Sequence, residues 1–260
     1  MFRLINPKNY LRKARDLYYL KSYDIERVKK EERKKFEQRG FDYTKALAKL
    51  NNVLSALKMG EFSSKNSVHT LLFSCISQVS KVRDILEIGT YKGEAALILS
   101  KLFPNSLVTT LDLPDSDPIL HTSYMRESPY VMKEYKEEQK KNLADPRITF
   151  VEKNSFFLPG EMTKKFDLIW IDGGHLYPEV AWDICNAYHL CKLGGWIMCD
   201  DVIIDKNGQR NEYVSPDSYE VLEYIRARTG EEVTYFLKKE HPMRSADPRK
   251  RKYVALMKKQ

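Results

Sequence analysis

Asp172-Gly-Gly-His175 places a carboxylate and an imidazole three residues apart, and Asp200-Asp201 adds two adjacent carboxylates further along the chain. Three carboxylates that meet repel one another unless a cation neutralises them. An all-oxygen ligand set selects a hard ion, Mg²⁺ first with Ca²⁺ or Mn²⁺ as alternates, over zinc. Such an ion would hold a substrate hydroxyl and lower its pKa, and His175 would take the proton as general base. The plainer alternative is a turn capped by Asp200-Asp201 and a histidine bonded to backbone.

These residues need strands to bring them together. Leu168 to Ile171 is a continuous apolar run bounded by Asp167 and by Asp172-Gly173-Gly174, the pattern of a strand buried on both faces. Trp196-Ile-Met-Cys199 is a second such strand and ends on Asp200-Asp201. Ligands bind at the carboxyl ends of strands in open α/β sheets. If the two strands are neighbours, all three carboxylates share one rim.

A third strand, Val82 to Glu87, runs into Glu87-Ile-Gly89-Thr90-Tyr91-Lys-Gly93 and then an apolar helix from Glu94 to Leu102. A strand, a glycine turn and a helix N-terminus form a nucleotide-binding unit, because unpaired N–H groups and bare backbone face the ligand. The glycine spacing departs from the GxGxxG of dinucleotide binders. A carboxylate before the turn suits a cofactor with a positive sulfonium and amino group better than a pyrophosphate. A purely structural βα turn is the alternative. The next strand, Ser106 to Leu111, ends at Asp112, where ribose hydroxyls are accepted in such folds. Arg147 to Val151 is another strand, and Lys153-Asn154-Ser155 after it is placed either to meet an adenine ring or to cap the following helix.

The rest of the chain reads as support. Helices are expected over Asp42 to Lys58, Ser67 to Val79, Tyr130 to Leu143, Tyr177 to Leu193 and Pro216 to Thr229. Strands are expected over Glu232 to Leu237 and Tyr253 to Met257. His69, alone on its helix, is expected to be structural. The Pro-, Asp- and Ser-rich stretch Leu113 to Ser128, with Met125-Arg126, is expected to be a lid or substrate loop. Residues 1 to 40 alternate aromatic and basic side chains, including Tyr10, Leu11 and Arg12. They suit an amphipathic helical appendage that docks on the core, builds a homo-oligomer or lies on a membrane surface.

Composition bounds these readings. The 260 residues carry a net charge of +8, but the excess lies at the ends: residues 1 to 35 hold 12 Lys/Arg against 5 Asp/Glu, and residues 238 to 260 hold 9 against 2. The middle is mildly acidic, so the basic ends are the parts that would attract an anionic partner. Cys75, Cys185, Cys191 and Cys199 lack CxxC pairing, which predicts reduced, buried thiols. No run is long enough to span a membrane and no secretory segment is evident, so a cytoplasmic protein is expected.

Taken together, Glu87-Ile-Gly-Thr-Tyr-Lys-Gly93, Asp112, Asp172-Gly-Gly-His175, and Leu193-Gly-Gly195 before Asp200-Asp201 resemble class I S-adenosylmethionine-dependent methyltransferases. The likeness is to metal-dependent O-methyltransferases of the macrocin and mycinamicin sugar type, and more distantly to catechol O-methyltransferase. It spans about residues 65 to 258, so the expected division is a basic helical extension, 1–64, and a methyltransferase domain, 65–260. The resemblance implies an α/β, Rossmann-like fold: a seven-stranded sheet of order 3-2-1-4-5-7-6, only strand 7 antiparallel, with helices on both faces. It also implies that Glu87, Gly89, Thr90, Tyr91 and Gly93 hold the methionine part of the cofactor with Asp172 beside them. Asp112 would hold the ribose, and Asn154 and Ser155 the adenine. Asp172, Asp200 and Asp201 fall on metal-ligand positions, and His175 on the catalytic base. Asp201 stands where catechol-type enzymes usually carry Asn, which points to the sugar-modifying branch.

The expected function is therefore metal-dependent methylation of a hydroxyl on a small molecule or glycan, a sugar above others. In the implied topology the loop with Arg244, Arg249, Lys250, Arg251 and Lys252 borders the substrate mouth and would favour an acidic or phosphorylated acceptor. Two rivals are a nucleic-acid methyltransferase, for which the chain lacks base-flipping signatures, and a non-catalytic binding module on the same fold.

Overall fold

A computed structural model describes residues 7–123, 126–205, 215–242 and 246–260, with the side chains of residues 7–12 left aside. Its strands are β1 (Asp84–Ile88), β2 (Leu107–Asp112), β3 (Ile148–Glu152), β4 (Phe166–Ile171), β5 (Cys191–Val202), β6 (Val233–Leu237) and β7 (Tyr253–Lys258). They form one sheet in the order β3-β2-β1-β4-β5-β7-β6, and β7 runs antiparallel to both its neighbours. Order and direction are those expected.

Successive residues of a strand point to opposite faces, and here both faces are covered. Ile85, Leu168 and Trp170 join one buried cluster with Leu50, Leu71 and Leu99. These come from helices α3 (Tyr43–Ala56), α4 (His69–Val79) and α5 (Glu94–Leu102). Leu86, Ile169 and Ile171 join the other with Ile184 and Leu222, from α9 (Glu179–Leu190) and α10 (Asp217–Thr229). β4 is thus the doubly buried strand its apolar run suggests, with Trp170 fully buried.

The basic N-terminal segment is two helices, α1 (Pro7–Lys21) and α2 (Ile25–Gln38), the second capped by the Asp24 carboxylate. α2 docks on the edge strand β6. Glu32 Oε2 accepts from Leu237 N at 2.9 Å, Lys35 donates to the Tyr235 carbonyl, and the Phe36 and Phe236 rings lie 4.7 Å apart. An open edge would template pairing with another chain, and these side chains close it. Phe36, Phe41 and Leu50 belong to the same buried cluster as Ile85, so the core runs across the expected 64/65 division. The proposals for Tyr10, Leu11 and Arg12 fall outside the described side chains. Among the described residues no helix is long and apolar enough to cross a membrane.

Two local expectations need correction. α9 ends at Leu190 rather than Leu193, because Cys191 already pairs with Phe166 and the Gly194-Gly195 pair lies within β5. Cys185 is exposed, unlike the other three cysteines, because it sits on the outer side of α9. The stretch 113–128 contains a short helix, α6 (Pro118–Thr122), capped by Asp117. It leans on α7 (Pro129–Asn142) through Lys136–Asp115 and through Arg126 over the Tyr135 ring, while Met125 is outside the described residues.

Candidate active site

The carboxyl ends of β1 and β4 lie side by side: Asp172 N donates to the Ile88 carbonyl at 2.8 Å. Gly89 therefore faces backbone. A Cβ on it would stand 2.3 Å from the Asp172 carbonyl oxygen, and its φ of +97° also favours glycine. Glu87, one turn below, is 1% exposed. Thr110 of β2 donates to it at 2.5 Å, and the Thr90 hydroxyl lies 2.6 Å from that of Thr110. Burial pushes the Glu87 carboxyl up to about 8, despite the Thr110 bond and with the help of Asp112. A buried carboxyl lacking a cation is suited to a ligand that brings one.

The turn that follows is clamped from two sides. Asp112 Oδ2 accepts from Tyr91 N at 2.8 Å and its Oδ1 from Leu113 N. From α7, Gln139 donates to the Tyr91 carbonyl at 2.7 Å and Asn142 to that of Lys92 at 2.9 Å. Tyr91 needs this support because its φ is +46°. Gln139 and Asn142 are buried clamp residues that the sequence reading missed. Their amides sit on a helix that looks merely charged, and the i, i+3 spacing was the available signal. Gly93 also has positive φ, and a Cβ there would press on Leu143 at 2.7 Å.

At the end of β3, Asn154 Oδ1 accepts from Phe156 N and so caps a short 3-10 turn, Ser155–Phe157. Capping and adenine contact were both open there; the cap is realised through the oxygen. The Ser155 carbonyl accepts from Asn186 of α9 at 3.0 Å. Asp183, on the same helix and 2% exposed, is raised to about 6 by burial, although a hydrogen bond from Ser155 works against it.

The three carboxyls expected to meet do meet, but with unexpected company. Lys238, just after β6, lies 2.5 Å from both Asp200 Oδ2 and Asp201 Oδ1, and Lys252, just before β7, lies 2.5 Å from Asp201 Oδ2. His175 Nε2 stands 3.6 Å from Asp201 and 3.8 Å from Asp172. Asp201 has φ +53° at a break in register between β5 and β7, which turns its carboxylate toward the lysines. Burial and the facing Asp200 raise the Asp172 carboxyl well above the usual range, even against the pull of Lys238. Asp200 Oδ1 has no hydrogen-bond partner among the described residues. Burial also opposes charge on Asp201 and Lys238. Their mutual attraction outweighs it, so Asp201 is held below the usual range and Lys238 above its own. Burial lowers His175 against the pull of Asp201 and Asp200, which favours the neutral imidazole a general base requires.

A divalent ion does not fit this arrangement. It would need the same oxygens that hold ammonium groups, and among the described residues no cluster of three or more His, Cys, Asp or Glu has the geometry to hold a metal. His69, expected to be structural, stacks on Trp170 with centroids 4.9 Å apart. It lies close enough to Asp200 and Lys238 to feel their charges, while burial lowers it to about 4. In the basic loop Arg249 pairs with Asp247, Lys250 with Asp16 of α1, and Arg251 with the carbonyls of Lys239 and Glu240. Lys252 alone of these reaches the cluster, and Arg244 is outside the described residues.

Residues 86–202 match the family model of a methyltransferase domain. Curated proteins provide no match. Among solved structures, the O-methyltransferase TomG from Streptomyces achromogenes, involved in tomaymycin synthesis and bound to SAM, is 15% identical with a TM-score of 0.53. That likeness covers 85% of this chain and 92% of that one. An O-methyltransferase from Bacillus cereus in complex with SAH is 16% identical with a TM-score of 0.54, covering 82% and 91%. Cofactor-bound Rv0187 from MTB is 19% identical with a TM-score of 0.54, covering 82% and 88%. Identities this low establish the fold, a Rossmann-like methyltransferase sheet.

Proposed function

We propose that the chain transfers the methyl group of S-adenosylmethionine to a hydroxyl of a small molecule or glycan, a sugar first among the candidates. One observation carries the reading: Glu87, Asp112 and the Asp172–His175 turn come from three strands and converge on the carboxyl-end rim of a methyltransferase-type sheet. When bound, S-adenosylmethionine supplies a methyl group made electrophilic by a positive sulfonium. Glu87 would offset the cationic amino acid end, the turn from Gly89 to Gly93 would lie against it, and Asp112 would accept from ribose hydroxyls. Ser155 and the amide nitrogen of Asn154 would border the base.

His175 would take the proton of the acceptor hydroxyl, leaving that oxygen with the electron pair that forms the new bond to the methyl carbon as the carbon–sulfur bond breaks, its pair returning to sulfur and S-adenosylhomocysteine departing. The resulting imidazolium lies 3.6 Å from the Asp201 carboxylate, which stabilises it. Holding the acceptor oxygen in line with the methyl group supplies a further large share of the acceleration. No step uses a divalent ion, because both oxygens of Asp201 and one of Asp200 are bonded to ammonium groups. A small acceptor is favoured over nucleic acid because Arg15, Arg39, Arg249 and Lys250 are spent on internal carboxylates.

Purified chain given S-adenosylmethionine and a panel of sugars and sugar phosphates should form S-adenosylhomocysteine only when a suitable acceptor is present. His175→Ala should lower that turnover by about 10² to 10⁴. Acceptor-dependent turnover at the full rate in His175→Ala would contradict the assigned role.

A further inference from the structure

A sheet that folds three carboxyls onto one rim must neutralise them, and this chain does so with its own side chains. Lys238 and Lys252 are cross-strand neighbours at the open end of the β6–β7 ladder, where Lys238 N donates to the Lys252 carbonyl at 2.8 Å. The Lys238 carbonyl in turn accepts from Val68 N at 2.8 Å, just before α4. Both lysines are thus fixed by backbone, and their ammonium groups descend on Asp200 and Asp201 from one side. Lys238 is enclosed, with its side chain 18% exposed, against 2% for Asp200 and 14% for Asp201. Two ammonium groups also bring the same total charge as one divalent ion.

We propose that Lys238, backed by Lys252, is the resident cation of this cluster, standing in the place a divalent metal would take and making the site metal-independent. The geometry makes the two occupants mutually exclusive. Mg²⁺ or Mn²⁺ needs oxygens at about 2.0 to 2.2 Å in a near-octahedral shell. Here both oxygens of Asp201 and one of Asp200 already receive N–H donors at 2.5 Å. An ion on those oxygens would lie against an enclosed ammonium of like charge. An ammonium has three N–H donors and no open coordination shell. Two of the donors of Lys238 go to Asp200 and Asp201. The third would be left for an acceptor oxygen, a role that rests on the methyl-transfer reading. The refusal of metal does not rest on it.

The test is an electron paramagnetic resonance titration of the full chain, chelator-treated and desalted, with Mn²⁺, whose signal is lost on binding. Heats of S-adenosylmethionine binding are measured on the same samples. The wild-type chain should show no saturable loss of free Mn²⁺ up to about 1 mM, the weak end of biological divalent sites. Its melting temperature should not rise with Mn²⁺. Lys238→Met should gain a saturable Mn²⁺ site at least about tenfold tighter than any wild-type binding, and Lys238→Arg should not. If Lys238→Met does not fold, Lys238→Gln takes its place with the same expectation. Saturable Mn²⁺ binding by the wild-type chain overturns the proposal. A folded Lys238→Met chain that binds S-adenosylmethionine as wild type does but still ignores Mn²⁺ also overturns it. Failure of the methyl-transfer reading would show separately, as an absent heat of S-adenosylmethionine binding beside an unchanged Mn²⁺ result.

Discussion

Thr110 donates its hydroxyl to Glu87 at 2.5 Å, at the base of the β1 turn and out of reach of water. Burial raises this carboxyl to about 8, so at neutral pH it holds a proton until a cation arrives. Binding of S-adenosylmethionine is therefore expected to release a proton near pH 7. Calorimetry in phosphate and Tris, which differ in ionisation enthalpy, should detect it, and the release should vanish above about pH 9.5 and in Glu87→Gln. Equal heats in both buffers at pH 7 would remove Glu87 from the cofactor's amino group.

The same shift fixes the sign of a stability effect. A carboxyl whose folded-state pKa is raised binds more protons folded than unfolded, so its contribution declines as pH rises from about 4.5 to about 8. Urea melts of the unliganded chain across that window should be flatter for Glu87→Gln than for wild type.

Gly89→Ala meets both a positive φ and the Asp172 carbonyl. The expected loss is more than about 2 kcal/mol of stability, with S-adenosylmethionine binding lost as the β1 and β4 ends part. Gly194→Ala is the control: it shares a positive φ of +77° but has open space around it, so it should cost less and leave binding intact.

His175 is neutral at pH 7 because burial lowers it against the pull of Asp201 and Asp200. A base is inactive once protonated, so at saturating S-adenosylmethionine kcat/KM for the acceptor should fall only on the acid side, with its midpoint below the ordinary histidine value of about 6.5. An acid limb above pH 7 would mean that another group, or a protonated His175, governs the step.

The clamp on the cofactor turn predicts a binding defect rather than unfolding. Gln139→Ala and Asn142→Ala each remove one hydrogen bond to a turn carbonyl, worth about 1 kcal/mol. Together they should weaken S-adenosylmethionine binding by about thirtyfold while leaving turnover at saturation nearly unchanged.

Much of this was legible in the chain. The apolar runs before Asp172 and before Asp200 marked two strands buried on both faces, while their adjacency stayed conditional until β4 was seen to pair with β5. Glu87, Gly89 and Asp112 were found because a bare turn between a strand and a helix admits few readings. Lys238 was not legible. Its contact with Asp200 depends on β7 inserting between β5 and β6, and a lysine at a strand end gives no local sign of what it will meet across the sheet. Gln139 and Asn142 were hidden for the same reason, since a charged helix face does not announce which of its amides will turn inward.

The most direct test of the central claim is calorimetric titration of the purified chain with S-adenosylmethionine, followed by displacement with S-adenosylhomocysteine. One saturable site with a dissociation constant of about 1 mM or tighter, corresponding to about 4 kcal/mol or more, is predicted for wild type, with loss in Gly89→Ala. An absence of saturable heat in a folded wild-type chain would contradict the account.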